Sequence, residues 1–437
     1  MNSKQLNDIE TITFRNAGEV REVRESFPNL CLETNSNSEL DKARAIANHV
    51  LSRLGDIEYP LMMMDLEKVA FQLARWRRCL PNVAPYYAVK CNPDPVLVGF
   101  LQSCGIDFDC ATSAEMDLVV NSLHHPVDRV VYSNPCKLPS HIRYASEVGV
   151  RLTIIDNLDE VNKIKKNHSN AQVLIRLACA DTSSQCPMSC KFGATNDRVK
   201  AILERAADVG LEVVGVHFHV GSGCSDPMAY HRALLDARRA FDIGTECGHN
   251  MHVLDLGGGY PPLSLDGTCQ TSNGIHFEQM AAVISSLLDQ LFPNDVDSPQ
   301  YKIMAEPGRF LVGGSSALLT KIHSKCMIEN DAGDKAARYY LNDGLYGCFN
   351  CVLYDHQTVR PETLDDLFMT SRKIIPGATL FGPTCDGFDK VIDSVNHLPE
   401  MFVDERLVWL SMGAYTTAAS TTFNGFPQAQ YYYYKTV

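Results

Sequence analysis

The chain has 437 residues, 39 basic against 52 acidic, for a formal charge of −13. With 45% hydrophobic and 21% charged residues it is long enough for two folded domains and unlike a disordered chain, while the acidic balance disfavours a grip on nucleic acid. No apolar run approaches the roughly 20 residues of a membrane span, and the polar stretch Met1–Val20 has no signal-peptide core. The 16 cysteines are scattered through a long chain rather than a small secreted framework, so a reduced, cytoplasmic protein is expected.

In chain order, residues 8–32 contain short strand-like pieces that could return to a β domain, and Leu61–Asp65 reads as the crossing into the next unit. Short apolar runs then alternate with helical periodicity. The strand-like runs are Tyr86–Val89, Asp107–Cys110, Val130–Ser133, Leu152–Asp156, Val173–Leu177, Val213–Val220, His252–Leu256 and Lys302–Ala305. Helical spacing recurs at Glu115–Ser122, Val199–Val209, Ala229–Phe241 and Phe277–Leu291. Eight β-then-α units match a (β/α)8 barrel; an open doubly wound sheet is the alternative. After Phe310 the texture becomes short strands with turn residues, at Tyr339–Leu341, Cys351–Tyr354, Lys373–Ile375, Arg406–Leu410 and Tyr431–Lys435. The expected organisation is an N-terminal segment, residues 1–60, giving strands to the β domain, a barrel over 61–310, and an all-β domain of Greek-key barrel or sandwich type over 311–437.

Barrel chemistry gathers at the C-terminal ends of the strands. Lys90 ends one strand, where partial desolvation makes an amine nucleophilic toward an aldehyde. His219 precedes Gly221-Ser222-Gly223, Asp255 runs into Gly257-Gly258-Gly259, and Glu306 precedes Pro307-Gly308-Arg309. Glycine loops after strands let backbone amides close on a phosphate, and Arg309 adds charge-assisted bonds. Neither glycine loop has the spacing of a dinucleotide fingerprint or a P-loop. A carboxylate paired with a pyridine nitrogen keeps that ring protonated. Lysine, phosphate cradle and carboxylate together describe a pyridoxal 5'-phosphate site. Cys385-Asp386, in a glycine-flanked loop, sets a proton donor beside an anion. Cys348 and Cys351 form a C-x2-C pair with no second pair at zinc spacing, so no metal is expected. His217 and His231 read as packed or surface residues.

These segments resemble the eukaryotic-type ornithine decarboxylases, in the alanine-racemase-like group of pyridoxal phosphate enzymes, from about Thr11 to the end. The resemblance is carried by Tyr87-Ala-Val-Lys-Cys-Asn92, Phe108-Asp-Cys-Ala111, Phe218-His-Val-Gly-Ser-Gly-Cys224, Asp255-Leu-Gly-Gly-Gly259, Ala305-Glu-Pro-Gly-Arg309, Leu353-Tyr-Asp-His356, Gly382-Pro-Thr-Cys-Asp-Gly387 and Met412-Gly-Ala-Tyr-Thr416. It implies that Lys90 binds the cofactor covalently, His219 stacks on its ring and Glu306 faces the ring nitrogen. Ser222, Gly259, Arg309 and Tyr415 would bind the phosphate, with Gly258 and Gly308 also contacting the cofactor and Asp109, Glu115 and Arg176 in support. Tyr354, Asp355 and Asp386 would bind the substrate, and Cys385 would return a proton after carbon dioxide leaves. It further implies a homodimer whose active sites are shared, the Cys385–Asp386 loop entering from the other subunit.

Cys348 and Thr112 stand where relatives commonly carry Ser. The chain stops at Val437 without the further tail of animal members, so tail-dependent turnover is not expected. A lysine or dual lysine/ornithine decarboxylase differs from an ornithine enzyme by one methylene of substrate, about 1–3 kcal/mol. An inactive homologue that binds a regulatory protein is the rival from another class, disfavoured because the expected cofactor contacts are all present. A racemase is disfavoured by Glu306.

Overall fold

The computed structural model describes residues 38–436 except 181, 262–274, 295–299, 330–334 and 366, together with the backbone of three short strands before residue 31. The described residues fall into two compact units, one within Met1–Ser26 and residues 70–311 and the other within Phe27–Val69 and Val312–Val437.

In the first unit eight parallel strands close into a barrel. They are β1 (Ala84–Ala88), β2 (Asp107–Cys110), β3 (Val130–Tyr132), β4 (Leu152–Ile155), β5 (Gln172–Leu177), β6 (Glu212–Phe218), β7 (Val253–Asp255) and β8 (Lys302–Ala305). Each pairs with its sequence neighbour, and β8 returns to β1 through Met304 and Ala305 against Ala84 and Pro85. The strands are apolar runs because barrel strands are covered on both faces. Tyr86, Val131, Ile154, Leu174, Val214, Val253 and Met304 pack into one buried cluster. Side chains alternate along a strand, so positions two residues further on, such as Arg176, Asp255 and Glu306, share the face of this layer nearer the C-terminal ends. Truncating Leu174 to Ala would cost about 2–5 kcal/mol.

Local signals set the helices. Asp226 caps helix Pro227–Glu246 by accepting from Met228 N at 2.9 Å, with Pro227 in the first turn. Asn157 caps Leu158–Asn167 by accepting from Glu160 N at 3.0 Å. The helix expected over Glu115–Ser122 is instead one α turn, Ser113–Met116, running into a π segment, Asp117–Ser122.

The second unit is built on a nine-stranded sheet. Its spine, Ser316–Glu329, pairs antiparallel with Lys335–Leu341, Arg406–Trp409 and Leu61–Asp65. Leu61–Asp65, expected as a crossing segment, is thus a fully buried strand of this sheet, and Gln430–Thr436 pairs parallel with it. Asn29–Leu30 joins the sheet edge, whereas Ile12–Asn16 and Glu19–Val23 pair only with each other. Two expected strands are corrected. Cys351–Tyr354 lies in a helix, Asn350–Tyr354, and Lys373–Ile375 contributes a single bridge between Ile374 and Pro399. Every described cysteine is unbridged, and no described helix is long and apolar enough to cross a membrane.

Candidate active site

The C-terminal ends of the barrel strands gather ionisable groups. Lys90 sits in the single 3-10 turn, Val89–Cys91, that follows β1, and its Nζ lies 2.5 Å from Asp109 Oδ2 on β2. Asp109 is fully buried while Lys90 is one-third exposed at its side chain. Glu115 accepts from Ala111 N at 2.6 Å, securing the turn after β2.

Across the barrel, Glu306 follows β8 and His217 lies on β6, with Nε2 of the histidine 3.3 Å from Glu306 Oε2. His217, Asp255 and Glu306 are all buried, and each has an N or O atom within 4.8 Å of the others. These carboxylates act on one another. Burial, then the charge of Glu306, pushes Asp109 up to about 8 and Asp255 well above the usual range. Burial opposes charge on Glu306 too, but His217 and Lys90 outweigh it and hold its carboxyl below the ordinary range. Negative charge therefore settles on Glu306.

His219 Nδ1 accepts from Gly221 N at 3.0 Å, which fixes the ring, and burial together with the nearby Arg176 guanidinium keeps it neutral. Arg176 is buried on β5 with its guanidinium 5.1 Å above Phe192. The glycine loop after β7 has all three carbonyls engaged, by Glu306 N at 2.8 Å, Tyr230 Oη at 2.9 Å and Cys224 N at 3.0 Å. The amides of Gly258 and Gly259 make no hydrogen bond to any described residue. A side chain at position 258 would place Cβ 2.8 Å from His219 Nε2, and one at 259 would meet Gly221 O at 2.6 Å with φ of +112°. Gly308 packs against Cys91, whose Cβ an added Cβ would approach to 2.9 Å. Beside this loop Arg309 Nη2 donates to Ser222 Oγ at 3.1 Å.

The remaining candidates lie in the second unit. Asp355 is buried at the end of helix Asn350–Tyr354, and Tyr354 is 72% exposed. Cys385 is exposed, and Asp386 accepts from the Tyr346 hydroxyl and from Phe388 N at 3.0 Å, the former holding its carboxyl low. Tyr415 has φ of +56°, a backbone state uncommon outside glycine. Sequence reasoning missed Asp255 and His217 as site residues, and also Tyr346 and Asp389. His217 lies two residues before His219, a spacing that places both on one strand face, and Asp255 ends a strand directly before a glycine loop; those were the available signals.

These features fit a phosphorylated aldehyde with a basic ring. Glu306 Oε1 is buried without a hydrogen-bond partner, Gly258 and Gly259 offer free amides, Ser222 and Arg309 supply donors, and Lys90 supplies the amine. Fold and site together define a barrel enzyme of the pyridoxal phosphate type.

The comparisons agree. Residues 66–313 match the pyridoxal binding domain of the pyridoxal-dependent decarboxylases. Ornithine decarboxylase of Mus musculus is 40% identical over 384 residues, 84% of this chain and 79% of that protein. Antizyme inhibitor 2 of Xenopus laevis is 38% identical over 405 residues, 90% of this chain and 85% of that one. Among solved structures, the arginine decarboxylase of Paramecium bursaria Chlorella virus superposes with a TM-score of 0.81 at 30% identity, covering 89% of this chain and 100% of that one. The chain belongs to the pyridoxal-dependent decarboxylase family, and its cofactor is pyridoxal phosphate.

Proposed function

We propose that this protein decarboxylates L-ornithine to putrescine, as a cytoplasmic homodimer with active sites shared between subunits. The observation that carries the reading is the pairing, in one barrel, of the 2.5 Å contact between Lys90 Nζ and Asp109 Oδ2 with a Glu306 carboxylate whose second oxygen is buried without a hydrogen-bond partner.

When bound, pyridoxal phosphate supplies an electron-accepting ring that takes up the electron pair left as carbon dioxide departs. Lys90 would hold the aldehyde carbon, and Asp109 keeps the lysine Nζ in place beside it. Glu306 would keep the ring nitrogen protonated, which its low pKa suits. His219, neutral and fixed through Nδ1, would lie on the ring without adding charge. Ser222, Gly258, Gly259, Gly308, Arg309 and Tyr415 would hold the phosphate. Asp355 and Asp386 are anions matched to the distal ammonium of a diamino acid, with Tyr354 beside them. Cys385 would deliver the proton to the carbon that loses the carboxylate, from the partner subunit's loop.

The first test is carbon dioxide release from ornithine, lysine and arginine with added pyridoxal phosphate. Ornithine turnover is expected to dominate and to vanish in Lys90→Ala. The similarity to antizyme inhibitor 2 favours a second reading, a non-catalytic binding protein, which would show no turnover of any of the three amino acids. Sharing of sites has its own test. Mixing Lys90→Ala with Cys385→Ala should raise putrescine formation above the average of the two variants alone, by up to about a quarter of the wild-type rate, because half of randomly mixed dimers carry one intact site.

A further inference from the structure

We infer that His217 is a positioning residue for Glu306: by holding Oε2 it leaves Oε1 as the oxygen presented to the coenzyme ring. This rests on the coenzyme reading above and goes beyond it, because His217 has no place among the groups that would touch the coenzyme.

The geometry is specific. His217 is fully buried in β6, in register with Asp255 on β7 and Arg176 on β5. Its Nε2 lies 3.3 Å from Glu306 Oε2, while Oε1 of the same carboxylate is buried and meets no donor at hydrogen-bond geometry among the described residues, with Ser133 and the acid of Asp255 also acting on this carboxylate. A carboxylate only accepts hydrogen bonds, so Nε2 carries the hydrogen and the neutral ring presents a bare Nδ1, which is also buried and unbonded. Burial of the ring favours this neutral form. The charged and titratable groups facing it are Glu306, Arg176 and Lys90, with Asp255 alongside in register. A packed core histidine would need only the volume. One that positions Glu306 needs the donor.

Three substitutions separate these cases, His217→Leu serving as a second control for packing. His217→Phe keeps a ring and removes the donor; His217→Gln keeps a donor. The readouts are the affinity of the coenzyme-free protein for pyridoxal phosphate, the pH profile of absorbance of the bound coenzyme, and kcat against KM for ornithine. Loss of one hydrogen bond to a charged group predicts that His217→Phe lowers kcat by about tenfold to a hundredfold with little change in KM. The absorbance pH profile shifts, and His217→Gln recovers most of both. The proposal falls if both variants reproduce the wild-type absorbance profile and coenzyme affinity. If neither His217→Phe nor His217→Leu melts cooperatively without coenzyme while His217→Gln does, the role is structural and the proposal also falls. A wild-type chain that takes up no pyridoxal phosphate would refute the coenzyme reading instead.

Discussion

Arg309 and Ser222 are joined by a 3.1 Å hydrogen bond that ties the loop after β8 to the short strand Ser222–Cys224 after β6. Both are donors suited to an anion, and they are held together before one arrives. Arg309→Ala should weaken pyridoxal phosphate binding by about tenfold to a hundredfold, and Ser222→Ala by about tenfold. Fluorescence titration of the coenzyme-free protein measures both losses. Pyridoxal lacking the phosphate should bind wild type and variants alike; an equal loss for pyridoxal would mean that the substitutions disturb the barrel mouth rather than a phosphate cradle.

Glu306→Gln preserves size and the contact with His217 but cannot hold a ring nitrogen protonated. We expect kcat to fall about a hundredfold or more while coenzyme content changes far less. Steady-state kinetics on fully loaded protein decide it, and a variant of undiminished kcat would remove Glu306 from the chemistry.

Asp109 gives a pH prediction of definite sign. Its folded pKa, about 8, stands above the usual carboxylate value of 3.8. As pH rises between these values the unfolded chain has released its proton while the folded protein retains it, so the coenzyme-free protein loses stability over that window. Asp109→Asn removes this slope. Melting temperatures of wild type and variant should be close near pH 4 and separate toward about pH 8, with the variant higher. Parallel pH profiles would contradict the raised pKa.

In the second unit, buried Asp389 accepts from Leu345 N at 2.7 Å, Thr384 N at 3.1 Å and Thr384 Oγ1 at 2.7 Å. It thereby pins the loop that carries Cys385. Asp389→Ala leaves three donors without their acceptor and should cost about 3 kcal/mol in urea unfolding, with activity falling alongside.

Cys385→Ala should still release carbon dioxide from ornithine but send the returning proton to a different atom. Product analysis by mass spectrometry should therefore find a by-product in place of part of the diamine. Putrescine as sole product at the wild-type rate would sink the assignment.

The barrel was legible in the chain because each of its strands is a short, doubly covered apolar run followed by a helix, a pattern written locally. Lys90, Glu306 and the glycine loops were legible for the same reason, as reactive residues at strand ends. The second unit was less so. Ser316–Glu329 went unread because Lys321 and His323 interrupt its apolar pattern, and Lys321 is tolerated there only through ion pairs with Asp56 and Asp404 at 2.7 and 2.8 Å. Asn-Cys-Val-Leu-Tyr at 350–354 is too short for periodicity to separate strand from helix.

Strand identity and the alternation of side chains are properties of neighbouring residues, so the amino-acid order alone settled which positions could face the barrel interior. The contact of His217 with Glu306 joins residues 89 apart, and the rise of Asp109 and Asp255 depends first on their burial by barrel closure and then on how closely closure crowds acids onto one end of the barrel. Only the closed sheet decided those, because charge and hydrogen bonding act through space and distance along the chain does not report it.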